Sequence, residues 1–145
     1  MKFQNIPQVP KSYYSTTIPL NGLIDNLEHY RESQEKLGYK FELNPDFQRG
    51  YVWTEQQQIN YLEWIFRGGL SGRDIYFNHP KWMGSFKADM VCMDGLQRLT
   101  ACIKFLNNEV PIFDTYFADF EDKIHHEPNL IFHVFNLPTR KDILK

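Results

Sequence analysis

Apolar and polar positions along this chain follow two periods, and the switches between them mark its elements. Residues 1–15, with Pro7, Pro10 and Ser12, read as an irregular arm, and Thr16 to Leu20 as a short strand. Leu23, Ile24, Leu27 and Tyr30 then share one helical face, with Gly38 as the stop. Phe41 and Leu43 alternate with Glu42 and Asn44, the pattern of a half-buried strand that Pro45 closes. Thr54 and Gln57 form a capping box, opening a helix that turns Ile59, Leu62, Ile65 and Phe66 inward and ends at Gly68-Gly69. Ile75 to Phe77 and Met90 to Met93 are apolar runs of strand length. Leu99, Cys102, Ile103 and Leu106 make the clearest helical stripe, and Val110 to Phe113 and Leu130 to Phe135 predict two more strands. The order β-α-β-α-β-β-α-β-β is that of a mixed α+β domain with a small sheet and packed helices, not a doubly wound one.

The last residues, Thr139-Arg140-Lys141-Asp142, resemble another helix N-cap, yet only about one turn follows. A helix that short is not stable alone. Either the chain is cut short of its natural end, or this end is held by a partner or frays. Residues 16–145 are expected to form a single domain.

Composition narrows the class. A chain of 145 residues can bury a core without disulfides or metal, and an aromatic content of 16% excludes a disordered chain. A net charge of −2 with interspersed signs provides no electrostatic footprint for non-specific DNA binding. Cys92 and Cys102 sit in apolar contexts without CxxC spacing, the usage of buried thiols in a reducing compartment. The N-terminus has no apolar run of signal-peptide length, and nothing approaches the ~20 apolar residues of a membrane span. A cytoplasmic protein is expected.

The candidate chemistry lies in two stretches. In the first, the strand ending Met93-Asp94 turns at Gly95 and launches the strongest amphipathic helix, through Leu96-Gln97-Arg98. The first turn of a helix carries unpaired N–H groups and the positive end of the macrodipole, and a glycine there lets an anion approach the backbone. Arg98 can fork onto a phosphate, and Asp94 beside that anion suits Mg²⁺. The bland alternative has Asp94 as an ordinary N-cap and Gln97 completing a capping box, with no ligand at all.

The second stretch, Pro45 to Trp53, packs Gln48 and Arg49 among aromatics just before a capped helix. These two offer amide and guanidinium donors, while Tyr51 and Trp53 either wall a pocket, stack on a base or simply plug the core. Among the histidines, adjacent His125 and His126 cannot share one face, and His133 alternates with apolar strand neighbours, which favours an exposed or hydrogen-bonded strand residue over a metal ligand. No nucleophile-base pair is visible at the level of sequence.

Gln48-Arg49-Gly50-Tyr51-Val52-Trp53, followed later by Met93-Asp94-Gly95-Leu96-Gln97-Arg98-Leu99-Thr100, resembles one domain family. This is the DGQQR-motif domain at the N-terminus of GmrSD-type modification-dependent restriction enzymes and of the SspE phosphorothioation-linked defence protein. The resemblance covers roughly residues 16 to 145 and implies a ParB- and sulfiredoxin-like fold. It further implies a nucleoside triphosphate site with Mg²⁺, in which Asp94, Gly95, Gln97 and Arg98 take the phosphate and metal end, Asp94 as the metal ligand. Asp94, Gln97 and Arg98 would be the catalytic set. Gln48 and Arg49 would close the pocket from the neighbouring loop, with Tyr51 and Trp53 beside them. Leu96 stands where the motif has its first glutamine, and Ala101-Cys102 replace the usual Thr-Leu, so hydrolysis is less secure than binding.

Three functions compete. The first is a nucleotide-binding module, with or without weak hydrolysis, in a phage-defence or restriction context. The second is a non-catalytic interaction or counter-defence module that binds a protein partner. The third is a small ParB-like nuclease acting on DNA, against which the single acid of the main motif weighs.

Overall fold

The computed structural model describes residues 1–7, 13–44, 52–82 and 84–137. Gln48, Arg49, Gly50 and Tyr51 lie outside the described residues, as do Pro10, Ser12, Pro45 and the expected N-cap at Thr139.

Eight elements follow one another: β1 (Tyr13–Pro19), α1 (Leu23–Lys36), β2 (Phe41–Glu42), α2 (Glu55–Phe66), β3 (Asp74–Asn78), β4 (Met90–Asp94), α3 (Leu96–Leu106) and β5 (Asn129–Phe135). The five strands make one mixed sheet in the order β1-β5-β3-β4-β2. β1 pairs antiparallel with β5, β5 runs parallel to β3, β3 is antiparallel to β4, and β4 is parallel to β2. With three α-helices among the described residues, the chain is a small α+β domain.

Local chemistry accounts for most of these boundaries. α2 opens on a complete capping box: the Thr54 hydroxyl accepts from the Gln57 N–H, and the Gln57 side chain accepts from the Thr54 N–H. It closes as expected at Gly68, which takes a left-handed conformation. Gly38 does the same after α1. β1 begins at Tyr13 rather than Thr16, because its register with β5 extends to the pair Tyr13 and Phe135.

The apolar stripes converge on one core. Ile75, Phe77, Cys92, Leu130, Phe132 and Val134 from one sheet face meet Leu62, Ile65, Leu99, Cys102 and Phe105 from α2 and α3. Fully burying a side chain such as Phe77 or Phe105 contributes roughly 1.5–3 kcal/mol relative to exposure. The α3 stripe is centred slightly differently from the sequence pattern. Leu99, Cys102 and Phe105 are buried while Ile103 and Leu106 are only partly so, since Phe105 meets both Phe66 and Phe117. Burial pushes the Cys102 thiol up to about 12, so it is an inert core group.

One expected strand is absent. Val110 and Ile112 are buried as their pattern implies, but Phe113 and Asp114 both take positive φ and fold the segment back on itself. A single bridge between Ile112 and Thr115 is all the ladder that results. The observed order therefore ends β-α-β, not β-α-β-β.

Arg73, just before β3, is buried and ties α2 to the sheet. Its guanidinium donates to the Gly69 carbonyl at 2.8 Å, to the Ile65 carbonyl at 3.4 Å and to the Glu127 carboxylate at 2.8 Å. Glu127 is itself exposed, so most of the value of Arg73 lies in satisfying buried carbonyls at the end of α2. Arg73→Ala is expected to cost about 2–4 kcal/mol in urea unfolding, against less than about 1 kcal/mol for Glu127→Gln. Equal losses would show that the ion pair dominates.

His79 is buried beside the Phe86 carbonyl, and desolvation pushes its imidazole below the ordinary range, with the backbone contacts opposing. The folded state thus disfavours the proton that the unfolded chain accepts. Stability held above about pH 6.5 should fall as pH drops below that value. His79→Gln should flatten this slope in melting curves taken between about pH 5 and 7, whereas an unchanged slope would place its origin in other groups.

Candidate functional site

β3 and β4 are antiparallel, so the start of β3 and the end of β4 share one edge of the sheet. There β4 hands over to α3 through Gly95, the N-cap of α3, at φ +98 and ψ 9. An L-residue rarely adopts that conformation, and there is no room for one. An added Cβ would lie 2.8 Å from Ile75 Cδ1 and 3.2 Å from the Asp74 carbonyl oxygen. The turn is pressed onto β3, and α3 starts directly above it.

The capping box expected of Asp94 and Gln97 does not form. Asp94 is the last residue of β4, aligned with Tyr76 across the ladder, and is not the N-cap. Among the described residues, no N-cap side chain caps α3, whose N-cap is a glycine. Gln97, expected to reach back in a capping box, instead accepts a hydrogen bond from the Trp53 backbone N–H at 2.9 Å. Among the described residues, the N–H groups of the first turn have no N-cap side chain, and the Asp94 carboxylate is largely exposed.

Arg98 leaves the same first turn and reaches Asp94 at 3.7 Å, a loose ion pair with the guanidinium 23% exposed and the carboxylate 70% exposed. An exposed pair of this kind is worth at most about 1 kcal/mol, so either partner can turn to a ligand at little cost.

These residues border a cleft of about 610 Å³, lined also by Trp53, Tyr61, Trp64, Ser71, Gly72 and Leu96. That size suits a small-molecule ligand. Of the residues singled out in the sequence, Trp53, Asp94, Gly95, Gln97 and Arg98 meet here, whereas Gln48, Arg49 and Tyr51 lie outside the described residues.

Sequence reasoning missed the opposite wall. Tyr61 packs its ring 5.4 Å from Trp53 and donates its hydroxyl to the Gly72 carbonyl at 2.7 Å. Burial pushes that phenol well above its usual range, with the Cys102 thiol adding to the effect, so it stays a neutral donor. Trp64 donates its indole N–H to the Ser71 carbonyl at 3.2 Å. The available signal was Trp64 itself, an aromatic out of phase with the buried Leu62 and Ile65 on α2.

Away from the cleft, His133 is the hydrogen-bonded strand residue that its alternation implied. Its ring lies 2.7 Å from the Ser15 hydroxyl and 2.7 Å from the Asp74 carboxylate, stacked on Tyr76. Among the described residues no group of three or more His, Cys, Asp or Glu side chains is placed to hold a metal ion.

Fold and cleft together define a small α+β domain with a ligand-sized cleft at a strand-to-helix turn. The family model of the GmrSD restriction endonuclease N-terminal domain matches residues 27–143. The chain belongs to that family, which links it to restriction systems of phage defence. No curated protein and no solved structure matches it. Among the described residues no helix is long and apolar enough to cross a membrane.

Gly95→Ala should cost about 2–5 kcal/mol, combining left-handed strain with the clash against Ile75. A urea midpoint that moves by less than about 1 kcal/mol equivalent would mean that the turn relaxes freely.

Proposed function

We propose that this cleft binds a nucleoside triphosphate with Mg²⁺. The observation that carries the reading is the start of α3 at Gly95, without a side-chain cap among the described residues, with Asp94 and Arg98 in the lining of the same cleft. Unpaired N–H groups and the helix dipole favour phosphate oxygens, and the Arg98 guanidinium adds a charge-assisted fork. Asp94 would hold Mg²⁺ together with the phosphates, the ion neutralising phosphate charge when bound. Gln97 acts as a positioning residue, since its carbonyl oxygen is engaged by the Trp53 N–H. Gln48 and Arg49 would close the site from the loop before α2, in line with the family resemblance.

Binding is better supported than hydrolysis. Leu96, in the place of the motif's first glutamine, presents an apolar side chain to the cleft, where it can neither orient a water nor accept a proton. A domain that binds nucleotide and signals to a protein or DNA partner within a restriction system is the reading this favours. Turnover would require Arg98, Gln97 and Asp94 to act without that glutamine.

The test is thermal melting with ATP, GTP, CTP and UTP, each with Mg²⁺, repeated on Arg98→Ala. A ligand in hundredfold excess over its Kd adds about 2.7 kcal/mol of stability. A shift with at least one nucleotide, lost in Arg98→Ala while that variant stays folded, is expected. No shift with any of the four would sink the reading, and cleavage of DNA with Mg²⁺ or Mn²⁺ alone would replace it with a nuclease.

A further inference from the structure

Trp64 is 44% exposed, yet its indole is anchored at two points. Its N–H is bonded to the Ser71 carbonyl, and its ring lies over Gly69. A Cβ added at Gly69 would fall 2.1 Å from Cε2, 2.3 Å from Cδ2 and 2.4 Å from Nε1 of the indole. Cε2 is a ring-fusion atom without an outward edge, so Gly69 meets the face of the indole rather than its rim. Gly69 does not have a positive φ, so the turn does not require glycine there; the indole does. One face of Trp64 is thus seated on backbone, and the other is turned away from it.

The same indole lines the cleft, and its anchor leads straight to the arginine. Ser71 is followed by Gly72, where an added Cβ would lie 3.9 Å from Arg98 Cδ. One peptide unit joins the two, so the indole N–H and the stem of Arg98 are no more than about 11 Å apart. A rigid, pre-seated aromatic face at that distance from a guanidinium matches a ligand with a flat ring at one end and negative charge at the other.

We infer that Trp64 is the stacking shelf for the nucleobase. This rests on the nucleotide reading above and adds to it the residue that recognises the base. Stacking tolerates any base because each presents a π face, and a shelf that is already immobile loses no side-chain freedom on binding. Tyr61, whose hydroxyl donates to the Gly72 carbonyl, holds the Ser71-Gly72 turn and is a positioning residue.

The experiment is titration calorimetry of the full chain with Mg²⁺ and each of ATP, GTP, CTP and UTP, beside tripolyphosphate, which has the phosphates and no base. Wild type should bind a nucleotide more tightly than tripolyphosphate by on the order of ten- to a hundredfold. Trp64→Ala should bring the nucleotide down to the tripolyphosphate affinity while leaving tripolyphosphate unchanged, which also shows that the variant is folded. Trp64→Phe should keep most of the difference. If Trp64→Ala leaves nucleotide affinity intact while Arg98→Ala abolishes it, the base sits elsewhere and only this inference falls. Equal weakening of both ligands in Trp64→Ala would reduce Trp64 to a structural role and overturn the inference as well. Failure of wild type to bind either ligand would remove the nucleotide reading and the shelf together.

Discussion

The contact between Gly95 and the first residues of β3 is the constraint on which the site depends. A turn with no Cβ packs against Ile75 and the Asp74 carbonyl, and this fixes where α3 starts. Because α3 begins there, Arg98 emerges beside Asp94 and Gln97 reaches the backbone of residue 53. Any side chain at position 95 would lift the helix start from the sheet, and those relations would change together. Glycine adopts this conformation freely, whereas any residue with a Cβ would be strained there.

Around that point the domain separates two tasks. The buried sheet face and the inner stripes of α2 and α3 supply stability through ordinary apolar burial, and Arg73 satisfies the carbonyls where α2 ends. The cleft borders that core through Tyr61 and Leu96, which pack against it. Asp94 and Arg98 are weakly committed, in a loose ion pair, while Gln97, Tyr61 and Trp64 are held by hydrogen bonds. The two charged groups can therefore turn to a ligand without unfolding their surroundings.

Much of this was legible in the sequence where a signal is local. The Thr54-Gln57 box, the stop at Gly68 and the strand-turn-helix at Asp94-Gly95 depend on a few neighbouring residues, and each fell where its pattern placed it. What depends on distant partners was not legible. Val110 and Ile112 carry strand-like alternation but find no strand to pair with, and the chain turns at Phe113 and Asp114 instead. Asp94 and Gln97 have the spacing of a capping box, yet ladder pairing with Tyr76 keeps Asp94 in β4 and moves the cap to Gly95. The Trp64 wall depends on a glycine and a carbonyl in the turn beyond the helix, which no helical period reveals. The crossing order of the sheet, with the last strand between the first and third, is likewise a long-range fact.

The bond between Gln97 and residue 53 has a consequence for how the two positions tolerate change. The acceptor is a side chain, but the donor is main chain. Every residue except proline brings an N–H to position 53, so the indole there can be exchanged freely as far as this bond is concerned. At position 97 only a side chain of the right reach with an oxygen acceptor will serve. Sequence variation read across relatives would therefore underrate position 53, although the path of the chain into α2 runs through its backbone.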